Sequence, residues 1–155
     1  MKAIFKGLIA AACMLIAAST FAAERATPEQ AIALVKKTVA YIGSAGKEKA
    51  FAEISDKNGQ FINGELYIFV YDMKGTCLAI GNGNAAKMVG KDLSDMRDAN
   101  GKYIIKSFVE LLNTKPAGWV DYQWPNPVSK SVELKSSYVE KVGDVLVGAG
   151  IYKAK

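Results

Sequence analysis

Residues 118–152, GWVDYQWPNPVSKSVELKSSYVEKVGDVLVGAGIY, carry both tryptophans of the chain and read as three β-strands joined by two turns. Pro125, Asn126 and Pro127 cannot occupy the middle of a paired strand, and Gly143-Asp144 is a tight-turn dipeptide between two β-branched runs. Strands connected this way are antiparallel neighbours. Alternation sorts the first of them, with Val120, Tyr122 and Trp124 on one face and Trp119, Asp121 and Gln123 on the other. The first set is too large and apolar for a solvated surface, so it forms a core or the wall of a cavity. Lys135 stands midway along the second strand. An ammonium there either points to water, the default for a strand lysine, or waits for an anion.

Upstream, Thr27-Pro28-Glu29-Gln30 has the features of a helix start: a threonine N-cap, proline at the first helical position and glutamine three residues after the cap. Ala31, Leu34, Val35, Thr38, Val39 and Ile42 then recur at helical spacing as far as Gly43, and Lys47 to Ile54 reads as a short second helix. Glu65 to Asp72 is a strand with Tyr67, Phe69 and Tyr71 on one face and Leu66, Ile68 and Val70 on the other, so it is covered on both sides and central. Asp72-Met73-Lys74-Gly75 suits a type I turn, after which Thr76 to Ile80 returns as the hairpin partner. A loop from Gly81 to Asn100 leads to a helix over Gly101 to Leu112, which stops before Pro116. The order predicts an α+β domain: a five-stranded antiparallel sheet with the long N-terminal helix laid across one face.

The chain is 155 residues long with a net charge of +5, enough for one core. Lys2 and Lys6 flank an apolar run from Gly7 to Ala18, and Thr20-Phe21-Ala22 places small residues at cleavage offsets. The pattern predicts a signal peptide over residues 1–22, cleaved after Ala22, and a periplasmic domain over 23–155. The apolar run falls short of the about 20 residues of a membrane span; a retained anchor is the alternative. Cys77 alone then remains, so no internal disulfide forms. The charges are scattered, with Arg25 and Arg97 the only arginines, which argues against a nucleic-acid partner.

The absence of histidine removes Ser-His-Asp and Cys-His arrangements and histidine-ligated metals. Asp92, Asp95 and Asp98 lack the loop of a calcium site and read as a solvated acidic loop. Gly81-Asn82-Gly83-Asn84-Ala85-Ala86 nearly fits a dinucleotide fingerprint, but it follows a hairpin strand where that fingerprint needs a parallel βαβ unit. Cys77 has no readable base beside it and reads as a small buried hydrophobe. No catalytic activity, cofactor or metal is expected. What remains is a cavity lined from seven tyrosines and two tryptophans, suited to a small polar ligand. Tyr71, Tyr122 and Trp124 are expected to face it from adjacent strands, with plain core packing as the alternative reading of each.

Six segments in order resemble the single Cache domain of bacterial extracellular sensors: DMKGTCLA (72–79), VGKDL (89–93), GKYI (101–104), GWVDYQWPNP (118–127), KSSYV (135–139) and GAGIY (148–152). The resemblance covers nearly the whole chain after the leader. It implies a PAS-like fold with a ligand pocket on the face opposite the long helix, and sensing of small molecules, often short carboxylates, for chemoreceptors and sensor kinases. The lysine of the Lys-x-x-Tyr-Val segment, Lys135, matches one associated with carboxylate ligands in similar domains. Tyr138 joins it in one cavity only if a bulge near Ser136-Ser137 breaks the alternation. Ile80 stands where such domains often have histidine. The expected partners are a small organic anion and a membrane-bound sensor kinase or chemoreceptor. An accessory subunit without a ligand, or an enzyme using Cys77, are the alternative functions.

Overall fold

The structure is a computed structural model that describes residues 25–153; the expected leader and its cleavage after Ala22 lie outside the described residues. Helix α1 (Pro28–Ala45) begins where the sequence places it: the Thr27 hydroxyl accepts from the Gln30 N–H, and the Gln30 side chain accepts from the Thr27 N–H at 2.9 Å. Helix α2 (Lys47–Ile54) follows after Gly46, whose φ of 82° turns the chain between them. Two-residue strand β1 (Ile62–Asn63) precedes β2 (Leu66–Asp72) and β3 (Cys77–Ile80). After a four-residue helix, α3 (Ala85–Met88), comes α4 (Ile104–Thr114), and β4 (Ala117–Pro125), β5 (Val132–Val142) and β6 (Val145–Tyr152) close the described chain.

The sheet is antiparallel throughout and runs β1-β2-β6-β5-β4, with β3 also on β2. It therefore has six strands rather than the expected five. The addition is β1, which pairs Ile62 with Tyr67 and Asn63 with Leu66; two residues between turn signals carry no alternation to read. The α4 helix starts three residues later than expected, because the Asp98 carboxylate accepts from the Asn100 and Lys102 N–H groups and holds that stretch as a turn. The β5–β6 hairpin closes on Gly143-Asp144, with Gly143 at φ 61°.

Two cores sandwich the sheet. On one face Ala31, Val35 and Ile42 of α1 and Ala50 and Ile54 of α2 pack on Leu66, Ile68, Val70, Val145, Val147 and Ala149. On the other, Ile104, Ile105, Phe108 and Leu112 of α4 pack on Tyr67, Phe69, Tyr71, Val120, Tyr122, Val139 and Leu146. The two faces of β2 are divided between them, as its alternation requires. The outer edge of β4 is not left open: Asp98 accepts from the Gln123 N–H, and the Lys102 ammonium donates to the Asp121 carbonyl. Edge pairing with another chain is blocked there.

Candidate ligand-binding site

The α4 face of the sheet holds a small cavity lined by Tyr67, Phe69 and Tyr71 of β2, Ile80 of β3, Met96, Ile104, Ile105 and Phe108 of the covering segment, and Tyr122 and Trp124 of β4. Its free volume is about 10 Å³, room for one water-sized group. The rings interlock. Phe69 stacks on Phe108 at 5.4 Å, Phe108 meets Tyr122 edge-on at 5.5 Å, and Tyr122 meets Trp124 edge-on at 6.2 Å.

Lys135 sits beside this wall. Cross-strand register puts it directly between Tyr122 and Tyr152, and its side chain is 0% exposed. The default expectation of a solvated strand lysine is thereby overturned. Room for the buried stem comes from Gly150 on β6, where a Cβ would stand 2.5 Å from Lys135 Cε and 2.2 Å from Ser137 Oγ. The ammonium lies 3.9 Å from the centre of the Tyr67 ring and 5.0 Å from that of Tyr152, and it makes no hydrogen bond among the described residues. Burial pushes its pKa below the usual lysine value, against which Tyr67 and Glu65 favour the charged form. Ring faces attract the cation but do not replace the hydrogen bonds lost with water.

Neutral hydroxyls complete the polar part of the site. Tyr122 and Ser137 share a hydrogen bond of 2.9 Å, and burial raises the Tyr122 and Tyr71 phenols well above the ordinary tyrosine value, so both keep their protons at neutral pH. The arrangement is an apolar box with Tyr67, Tyr71 and Tyr122 in its lining and the Lys135 amine buried beside it. That chemistry suits a small anion with a short apolar body.

Of the five residues expected at the site, four come together here: Tyr71, Tyr122 and Trp124 in the lining and Lys135 next to it. Tyr138 does not. Pairing of β5 with both neighbours runs unbroken through Ser136 and Ser137, so the bulge that Tyr138 needed is absent. Its ring packs on the α1 side, 5.5 Å from Trp119, with its hydroxyl donating to Glu140. Sequence reasoning missed Tyr67, Phe69, Phe108 and Ser137. The signal for three of them was present in strand parity, since Tyr67 and Phe69 alternate with Ile68, and Ser137 lies two residues from Lys135.

Cys77 is 0% exposed, and burial pushes its thiol up to about 11, so it is protonated at neutral pH. The three aspartates of the loop are separately engaged: Asp92 accepts from the Ser94 N–H, Asp95 pairs with Lys106, and Asp98 is held as described. Among the described residues no cluster of metal-ligating side chains forms.

The family model Single Cache domain 2 matches residues 6–154. The chain belongs to the single Cache domain 2 family. The match begins within the expected leader and so does not itself mark a domain boundary. Methyl-accepting chemotaxis protein McpP of Pseudomonas putida is 34% identical over 68 residues, which is 43% of this chain and 12% of that protein's length. The chain therefore compares with a small part of that receptor. Among solved structures, a periplasmic sensor domain of a chemotaxis protein is 27% identical with a TM-score of 0.64, covering 81% of this chain and 90% of the other. A methyl-accepting chemotaxis protein from Vibrio parahaemolyticus shares the fold at 23% identity and a TM-score of 0.68, covering 80% and 86%. A Cache chemosensory domain described for carboxylic acid recognition does so at 23% and 0.68, covering 81% and 92%. These relatives are chemotaxis proteins and chemosensory domains.

Proposed function

We propose that this Cache domain works outside the cytoplasm, binds a short monocarboxylate through Lys135, and passes its occupancy to chemotaxis signalling through a membrane receptor. The observation that carries the reading is the fully buried Lys135 ammonium, which has no hydrogen-bond partner among the described residues and sits beside an aromatic cavity. An isolated charge so placed costs several kcal/mol, and a carboxylate offsets that cost through a charge-assisted hydrogen bond. One cation favours one carboxylate over two. The aromatic box has room for one water-sized group, so a ligand must be short and its seating requires the surrounding rings to shift, with Tyr122 and Tyr71 as hydroxyl donors and Trp124 closing the wall. Relatives that are chemotaxis sensor domains, one described for carboxylic acid recognition, support the class of ligand and the signalling context.

Calorimetric titration with acetate, propionate and pyruvate tests this. Lys135→Met keeps most of the stem and removes the charge, and is expected to weaken binding by about 2 to 5 kcal/mol while the fold persists. Equal affinity in the two proteins at low salt would remove Lys135 from the site. Export is tested separately by N-terminal sequencing of the secreted protein, which should begin at Ala23; a sequence that still begins at Met1 would favour a retained anchor.

A further inference from the structure

A continuous run of contacts joins the cation of the pocket to the start of α1. The Tyr152 ring lies against the Lys135 ammonium, and its hydroxyl donates to the Pro125 carbonyl at 2.9 Å. The next residue, Asn126, is 2% exposed, and its Nδ2 donates to Glu65 Oε2 at 2.9 Å and Glu133 Oε2 at 3.3 Å. Its Oδ1 accepts from the Val128 and Ser129 N–H groups. Glu133 also takes Arg25 Nη1 at 2.5 Å and the hydroxyls of Ser129 and Ser131. Glu65 accepts from the Ala26 N–H at 3.2 Å and stands 3.6 Å from Arg25. The chain entering α1, the residue before β2 and the β4–β5 connection are thus tied in one polar knot.

Glu133 is buried but its partner Arg25 is 42% exposed, and an ion pair open to solvent at one end contributes little net stability, so its placement asks for another explanation. Resting on the ligand reading above, we propose that this knot reports occupancy of the Lys135 site to the chain entering α1, through Tyr152 and Asn126. Glu65 is shared between two cations. Its oxygens hold the Ala26 N–H and the Asn126 amide and approach Arg25, and its charge favours the protonated form of Lys135. An uncompensated Lys135 draws Glu65 toward the pocket. An anion seated on Lys135 cancels that pull and leaves Glu65 to Ala26 and Arg25, while the displaced Tyr152 ring moves Pro125 and Asn126 with it. Occupancy therefore tightens the start of α1, and by linkage a tight start of α1 favours the anion by the same factor.

The Ala26 amide is the natural reporter, because its hydrogen bond ends on Glu65. Amide exchange by NMR is measured in wild type, Lys135→Met and Tyr152→Phe, with and without acetate. Saturating acetate should slow Ala26 exchange in wild type about fivefold, the lower end of ordinary coupling between sites. Lys135→Met should slow it without any ligand, since the competing charge is gone. Tyr152→Phe keeps the ring and loses the bond to Pro125, so it should still bind acetate while the Ala26 response shrinks to the part carried by the charge of Glu65 alone. Ala26 exchange that ignores Lys135→Met overturns the coupling. An acetate response in Tyr152→Phe equal to that of wild type overturns the route. If acetate and its homologues fail to bind but Lys135→Met still slows Ala26, the coupling stands and the carboxylate reading falls.

Discussion

Lys135 shows how one side chain's environment is made by residues far away in sequence. Its neighbours along β5, Leu134 and Ser136, say nothing of burial, and a solvated lysine was the sound expectation from them. What buries it is the pairing with Tyr122 and Tyr152, the Tyr67 ring, and the bare backbone at Gly150. The clue in the sequence was Gly148-Ala149-Gly150, since glycines within a strand often mark a close approach of other groups. Gly150→Ala is the direct check. Its methyl would fall 2.2 Å from Ser137 Oγ and 2.5 Å from Lys135 Cε, with the Ser136 carbonyl oxygen at 3.0 Å, so both side chains must shift out of their packed positions. Urea denaturation should show a loss of about 1 to 3 kcal/mol, the usual cost of overpacking, and acetate affinity should fall with it. A variant as stable and as tight-binding as wild type would show that Lys135 has room to leave its buried position.

At the scale of elements, legibility followed locality. The start of α1 was readable because a capping box is four adjacent residues, and the split of β2 into two apolar faces was readable because a strand alternates strictly. Elements of two and four residues, β1 and α3, carry too little pattern to be seen. Tyr138 lies outside the site for a different reason: the Lys-x-x-Tyr-Val motif sets it near Lys135 in sequence, whereas the unbroken register of β5 fixes every second residue to one face. The α1 cap also makes an element-level prediction. Thr27→Ala removes the acceptor for the Gln30 N–H next to the Arg25 and Ala26 contacts, and should lower stability by about 1 kcal/mol in chemical denaturation. Exchange protection should drop most over the first turn of α1. Uniform loss of protection along the whole helix would mean that the cap governs the docking of α1 and not merely its end.

At the scale of the whole molecule, the described residues form two cores with an ionic knot at the sheet's end, and part of the stability lost in acid should come from that knot. Glu133 is 5% exposed, and hydrogen bonds from Arg25 and Ser129 hold its carboxyl down to about 2, from an unfolded value of about 4.3. A group whose folded value is depressed contributes stability that is fully present above the unfolded value and is lost as pH falls through the folded one. The contribution of Glu133 is therefore constant from neutral pH down to about 5 and fades between about 4 and 2. Glu133→Gln, which keeps the shape and cannot ionise, should be less stable than wild type at pH 7, and the gap should narrow steadily below about pH 4. Arg25→Gln should trace the same profile, because its partner loses the same charge over the same window. Urea titrations at several pH values read both curves. A gap between wild type and Glu133→Gln that stays flat down to pH 2.5 would mean the carboxyl is not depressed by Arg25, and that the tie between the start of α1 and the β4–β5 connection is held by Asn126 alone.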